Sequence, residues 1–456
     1  MKGHRPVSFS LKCLLAAKRL DQASATFFYY LPMSQSTIST RSPWSWVPTG
    51  YFAEGMPFIM VTWVSATMFK DLGHSDTEIT IWMGSLTLMW SLKPLWAAVL
   101  DMFKTKKWFV LAMEFSMAVL LALLAFSLAL PNYFLVSIGV LWIMAFASAS
   151  HDICMDGIYL TSLAKQQQAK FAGIQGVFWN MGKIFCMSAI IYIAGYFGEG
   201  EQGSWGIAWC VAAALMSVLA GYHLFRLPTG SISETPQSFR EGAATFFDSI
   251  TDFFRKPKIL GMLSFVLLFR SGEGLLVGVG HLFLQAPLEA GGIGLSLEQK
   301  GLIEGLVSTP FSLLGGILGG LIISRYGLKR MLFVMAICLN VPNLTYVYLS
   351  QAASLDAQLS LITVGALVSI EKFFYSFGFV ANMLYMMQQI SPGRYHMVHY
   401  AFCSAIMIFA LGQTGIVSGF LADKYGYETF FIIVMFATIP SFIVAWLAPF
   451  PRSENQ

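Results

Sequence analysis

The chain has 456 residues, of which 56% are hydrophobic and only 11% are charged. An ordinary soluble domain carries roughly 25% charged residues, so a soluble core is excluded and a polytopic membrane protein is implied. A net charge of +4 is too small to point to nucleic acid; the basic residues bear on topology instead.

Residues 1–43 stand apart. Lys2, Arg5, Lys12, Lys18 and Arg19 interrupt every apolar run. A secretory signal needs an unbroken apolar core of roughly 7–15 residues, so a cytosolic tail is expected here. Nothing before Met33 contributes to the later pattern, and a translation start at Met33 would suit it equally well.

Twelve apolar stretches follow, each near the ~20 residues that cross a bilayer as helix. They fall at 44–69, 78–100, 108–130, 133–160, 171–198 and 205–226, then 258–285, 299–323, 331–350, 358–388, 399–422 and 429–449. The expected fold is therefore all-α, with a six-helix bundle over 44–226 and another over 258–450. Residues 227–257 join them. Their second part, F-F-D-S-I-T-D-F-F-R-K, predicts an amphipathic helix on the inner membrane surface. Residues 451–456 form a second cytosolic tail.

Orientation follows from Lys and Arg. With both termini cytosolic, 21 of the 28 basic residues fall on the cytosolic side. The outer loops hold Lys70, Lys300 and Lys424. Four remain inside spans: Lys93, Lys183, Arg270 and Lys372.

Two loops repeat. W-A-A-V-L-D-M-F-K-T-K-K joins the second and third spans, and G-G-L-I-I-S-R-Y-G-L-K-R joins the eighth and ninth. Both resemble the cytosolic-loop signature of the major facilitator superfamily, G-x-x-x-D-R-x-G-R-R. Asp101 keeps the acid in the first copy, where the glycines are missing. The second keeps Gly320, Arg325, Gly327, Lys329 and Arg330, with Ser324 in place of the acid. Lys93, Asp101, Arg325, Lys329 and Arg330 are read as cytosolic gate contacts.

Carboxylates on a membrane span are costly and usually face a protein-lined cavity or a partner. Asp152 and Asp156, four apart, share one helical face with Ser148. Glu54, Arg270 with Glu273, and Glu371 with Lys372 lie mid-span in the first, seventh and tenth spans. Spans 1, 4, 7 and 10 are equivalent in a protein of three-helix repeats, whose sites lie near the midplane. Asp152, Asp156, Glu273, Glu371 and Glu54 are therefore candidates for carrying a proton. Lys183, Arg270, Lys372, Trp179, Asn180, Trp63 and Tyr375 are candidates for binding substrate. The alternative is local pairing: Arg270 with Glu273, three apart, and Lys183 with a carboxylate. Glu114 and Glu304 lie nearer span boundaries, and His151 and His281 read as hydrogen-bonded structural histidines.

Six scattered cysteines show no disulfide or metal-ligand spacing, so no metal is expected. No Walker A, G-x-S-x-G or H-E-x-x-H motif occurs, which argues against ATP-driven transport and against an enzyme. No cofactor is called for beyond a proton gradient.

The chain resembles the AmpG-type muropeptide permeases of the major facilitator superfamily. The resemblance is carried by Y-F-A-E-G-M-P from Tyr51, S-L-K-P-L-W-A-A-V-L-D from Ser91, A-F-A-S-A-S-H-D-I-C-M-D-G from Ala145, E-K-F-F-Y-S-F-G-F-V-A from Glu371 and G-F-L-A-D-K-Y-G from Gly419. The aspartate motif is Q-D-x-x-x-D in the family; His151 replaces the glutamine here. The resemblance implies a proton-driven importer of N-acetylglucosaminyl-1,6-anhydro-N-acetylmuramic acid, with or without its peptide. It also implies the bacterial inner membrane and cell-wall recycling; a monomer is expected. Acetyl-CoA or a siderophore is the alternative cargo, and a non-transporting membrane sensor or scaffold the alternative class.

Overall fold

The structure, a computed structural model, describes residues 41–101, 105–230, 239–355 and 359–451. The amino-terminal tail up to residue 40, Lys104, residues 231–238 of the linker and the tail from 452 lie outside the described residues, as does the side chain of Asp101. No strand occurs among the described residues. Lipid offers the backbone no hydrogen-bond partners, so each span satisfies its own N–H and C=O groups as helix.

Among the described residues, ten helices are long and apolar enough to cross a membrane. The fifth span, for instance, covers Gln166–Phe197, and the tenth span Leu361–Ile390. Two departures from regular helix complete the set. The second span is broken into Asp76–Leu86, Leu88–Ser91 and Lys93–Asp101. Pro94 follows the second break and has no N–H to continue the ladder. The stretch Val398–Leu447 runs for 50 residues, too long for one crossing of a ~30 Å core. Gly426 interrupts it with φ 75° and ψ 160°, a conformation that glycine tolerates, and separates the eleventh span from the twelfth.

The seventh span is also discontinuous. Ile259–Leu268 and Ser271–Gln285 are separate helices, and Arg270 between them has φ −109° and ψ 22°. The break thus falls at a mid-span charge. Short π-helical stretches interrupt the first, fifth, eighth and tenth spans at Met60–Val64, Cys186–Ile190, Gly301–Val307 and Met386–Ile390. Such widened turns are rare and often accompany functional sites.

Helix pairing repeats between the halves. Spans 1 and 5 pack as 7 and 11 do; 3 and 4 pack as 9 and 10 do; 3 and 6 pack as 9 and 12 do. Close approach makes the first of these possible: a Cβ on Gly55 would stand 2.3 Å from the Trp179 carbonyl oxygen. Spans 2 with 11 and 5 with 8 pack across the two halves. A helix over Phe239–Phe254 lies between the halves in sequence. It packs on the eleventh span, where His399 Nε2 meets the Ser249 carbonyl at 3.0 Å.

Hydrogen bonds joining the halves cluster at one end. Lys70 donates to Asp76 at 2.6 Å and to the Tyr427 hydroxyl at 3.1 Å. Tyr427 donates to the other Asp76 oxygen at 2.7 Å. Asp423 accepts from the backbone N–H groups of Asp76 and Thr77 at 3.3 and 2.7 Å, capping the second span from the opposite half. Gln285 donates to the Thr67 carbonyl, and Glu199 accepts from the Leu297 N–H. The linker helix lies at the other end of the molecule.

Candidate functional site

Three carboxylates and one lysine meet in the amino-terminal half. Asp152 and Asp156 share a face of the fourth span, as their spacing requires. Lys93 of the second span donates to Asp152 Oδ2 at 2.5 Å. Tyr51 of the first span donates its hydroxyl to Asp156 Oδ1 at 2.8 Å. Glu54, one turn further along, interacts electrostatically with Asp152, Asp156 and Lys93. Among the described residues its buried Oε2 has no hydrogen-bond partner, and neither has the Ser148 hydroxyl on the aspartate face. Lys93, read from the sequence as a gate contact, joins this cluster, because the broken second span presents it to the fourth.

A second group occupies the carboxy-terminal half. Arg270 holds Glu273 through both carboxylate oxygens, Nη2 to Oε1 at 2.6 Å and Nε to Oε2. It also donates to the Tyr375 hydroxyl at 3.1 Å. Its guanidinium lies 4.5 Å from the Phe379 ring centroid, and Phe379 stacks on Tyr375. Lys372 pairs with its neighbour Glu371 at 2.9 Å and lies over Tyr375. Lys183 of the fifth span, from the opposite half, interacts with Lys372 and Glu304. Glu304 is itself 3.1 Å from Lys300.

The mid-span charges therefore form two groups that are largely neutralised in local pairs: Lys93–Asp152, Arg270–Glu273 and Lys372–Glu371. Arg270 and Glu273 thus take the local pairing weighed as the alternative from their spacing, and the charges do not gather into one group. An isolated charge away from water is costly, and a partner on the same or the next helix is the nearest remedy. Glu54 and Lys183 stand outside this pairing among the described ion pairs, and Asp156 is held by a tyrosine.

A family model for the Major Facilitator Superfamily matches residues 49–398. The chain belongs to that superfamily. Similar bacterial proteins include "Putative transporter AmpG 4" of Rickettsia conorii, 25% identical over 86% of this chain and 93% of the relative. "Anhydromuropeptide permease" of Escherichia coli K12 is 22% identical over 66% of this chain, which spans 58% of that relative's length. Among solved structures, a bacterial homologue of the human lysosomal transporter Spinster is 12% identical, covers the full length of both chains and has a TM-score of 0.68. The nucleoside transporter NupG is 17% identical, covers 88% of this chain and 98% of its own, and has a TM-score of 0.64. At these identities the structural likeness concerns the fold.

Within this superfamily architecture the other candidates divide. Trp63 of the first span packs on His281 of the seventh, ring centroids 4.6 Å apart, and so joins the halves. Trp179 packs on Phe58, which packs on Trp90. Asn180 donates its amide to Gly176 of its own helix at 2.8 Å, so that donor is not available to a ligand. Arg325, Lys329 and Arg330 are exposed at the adjoining ends of the eighth and ninth helices, on either side of Gly327; Arg325 lies over Tyr326 and Lys329 over Phe450. The structure does not bring these three together with Lys93.

Sequence reasoning missed Tyr51 as a partner of Asp156, although it lies in a quoted motif three residues before Glu54. It also missed His223, which meets Glu114 in the core. Contacts across four different spans leave no local spacing to read.

Proposed function

We propose that this chain is a proton-coupled carrier that brings anhydromuropeptides into the bacterial cytoplasm for cell-wall recycling, acting as a monomer in the inner membrane with both termini cytosolic. The observation that carries the coupling is the composition of the amino-terminal group. Glu54, Asp152 and Asp156 share one lysine, Lys93, at membrane depth. Protons are the simplest relief of that surplus negative charge, and a carboxylate that takes and releases one is what a symporter needs.

Substrate recognition is assigned to the carboxy-terminal group. Lys183 and Lys372, on opposite halves, repel each other, and an anionic group drawn to both would relieve that repulsion. Tyr375 and Phe379 offer adjacent aromatic faces on which a sugar ring can pack. The name of the AmpG relatives favours a muropeptide, whose lactyl or peptide carboxylate supplies the anion. With the basic residues taken as cytosolic, the end closed by Asp76, Asp423 and Tyr427 is the outer one, and the structure is closed to the outside. Substrate and proton then shift the balance between this form and its outward-open counterpart.

Acetyl-CoA carries several phosphates, and Arg270, the one arginine deep in a span, is already engaged by Glu273. That disfavours coenzyme A as cargo. A sensor or scaffold has no need of surplus acid at membrane depth, and an enzyme would need a nucleophile and base that the sequence does not offer.

The test is uptake. Proteoliposomes with an inward proton gradient should accumulate labelled anhydromuropeptide, and a protonophore should abolish the accumulation. Glu54→Gln or Asp156→Asn should reduce it at least tenfold. Gradient-independent uptake, or displacement of bound muropeptide by acetyl-CoA or ferric siderophore at equal concentration, would overturn the reading.

A further inference from the structure

Glu114, His151 and His223 are each fully buried. They come from the third, fourth and sixth spans and meet at one atom. Glu114 Oε1 lies 3.1 Å from His151 Nε2 and 2.7 Å from His223 Nδ1. On its far side His223 Nε2 lies 2.9 Å from the hydroxyl oxygen of Thr49 in the first span. The Thr49 hydroxyl donates to the Trp46 carbonyl at 3.3 Å.

One arrangement of hydrogens leaves the group without net charge. A carboxylate accepts, so Nδ1 of His223 and Nε2 of His151 both carry one. With the Thr49 hydrogen turned to Trp46, its oxygen accepts from His223 Nε2, and His223, the nearer partner of a fully buried carboxylate, then bears hydrogen on both ring nitrogens as an imidazolium. Glu114 is its counter-ion: a protonated Glu114 would need an acceptor, and among the described residues its Oε2 has no partner. His151 is neutral, with its hydrogen on Nε2. Its Nδ1 is bare and has no partner among the described residues. The group is neutral as a whole, as a fully buried cluster has to be to avoid a large desolvation cost.

We propose that Glu114, His151 and His223 form a resident proton site in the amino-terminal half, holding one proton on His223 and open to a second at Nδ1 of His151. The site is separate from the carboxylates assigned to coupling, but the fourth span carries both. The Tyr222 ring packs on His223, and the spans that carry the site also bear Asp152 and Asp156 on the fourth, Tyr51 and Glu54 on the first, Lys106 against Gly157 of the fourth, and Lys107, whose ammonium donates to Leu224 of the sixth; Lys93 of the second span meets Asp152. A charge placed on His151 would act on Asp156, five positions along the same span. A second proton would therefore be registered by the aspartate cluster through the field and through movement of the fourth span. The first proton ties spans 1, 3, 4 and 6 into one unit.

The test requires no transport substrate. The full chain, labelled with ¹⁵N-histidine and placed in lipid bilayers, is followed by solid-state NMR, with His151→Gln and His223→Gln assigning the signals. At neutral pH His223 should show two protonated nitrogens, and His151 one protonated and one bare. On acidification the bare nitrogen should be lost. A bare nitrogen on His223 at neutral pH would overturn the proposal, as would a His151 Nδ1 that stays bare down to the lowest pH at which the protein stays folded. If a single variant does not fold, thermal unfolding of the double variant decides. Glu114→Gln alone strands an imidazolium and should lower the melting temperature; adding His223→Gln should recover it. A double variant less stable than Glu114→Gln alone would mean that His223 carries no charge to compensate.

Discussion

Lys93 Nζ lies 2.5 Å from Asp152 Oδ2, so the second and fourth spans are joined by an ion pair beside the one helix in the amino-terminal half that is broken twice. The pair is partly buried, with 28% and 14% of the two side chains exposed. Breaking a fully buried pair costs about 3–5 kcal/mol, so each single change here should cost less, about 2 kcal/mol. Lys93→Gln and Asp152→Asn should each lower stability in detergent by that amount. The double variant should lose less than the sum, by ~1–2 kcal/mol. Additive losses in a denaturation cycle would show that the two residues do not support each other.

Lys183 gives an expectation of the opposite kind. It is repelled by Lys372 on the other half of the molecule. Lys183→Gln removes that repulsion, so the melting temperature of the ligand-free protein should stay level or rise. Binding of anhydromuropeptide should weaken by about tenfold, equivalent to ~1.4 kcal/mol. A lysine serving only the fold would show the reverse: lower stability and unchanged binding. Calorimetry with and without ligand distinguishes the two.

The sequence made much of this legible. Apolar run length located the spans, because a lipid core sets a minimum that Lys107–Ser127 or Gln202–Arg226 meets without ambiguity. The four-residue spacing of Asp152 and Asp156 gave their shared face, because helical geometry alone decides it. What stayed hidden depends on which spans touch. Tyr51 reaches Asp156 across 105 positions, and His223 reaches Glu114 across 109. Glu114 read as a boundary residue, yet it is fully buried between two histidines. Lys93 read as a gate residue because Pro94 hides the fact that the span turns it inward. Asn180 looked like a ligand by its position; one of its amide donors is used on the preceding helical turn.

Arg270 separates stability from function most cleanly. Glu273 neutralises it, and Tyr375 and Phe379 hold the guanidinium in place. Removing one partner strands a buried charge at a cost of about 3–5 kcal/mol. Arg270→Gln and Glu273→Gln should therefore each unfold more readily, and the double variant should regain much of the loss. If Arg270 serves only as a partner for Glu273, transport returns with stability. We expect transport to stay at least tenfold reduced in the folded double variant, because the guanidinium sits at the break of the seventh span. Full recovery of proteoliposome uptake would assign the pair to the fold alone.

Gly419 tests whether the closed end has to open. A Cβ at this position would stand 2.1 Å from the Thr80 hydroxyl and 2.2 Å from the Asp76 carbonyl oxygen, on the helix that packs against it from the other half. Backbone has little room to yield at that distance, so Gly419→Ala should wedge the halves apart beside Asp423 and Tyr427. Thr67, buried at the same end, accepts from Gln285 of the other half. In a background without native cysteines, Thr67→Cys should be labelled slowly by a membrane-impermeant thiol reagent in the parent. Labelling should be about tenfold faster when Gly419→Ala is added, and uptake should fall in parallel. Gly139→Ala is the control: nothing lies within 4 Å of the Cβ it would add, so both readouts should stay at the parent's level. Equal labelling with and without the wedge would mean that this interface does not govern access to the site.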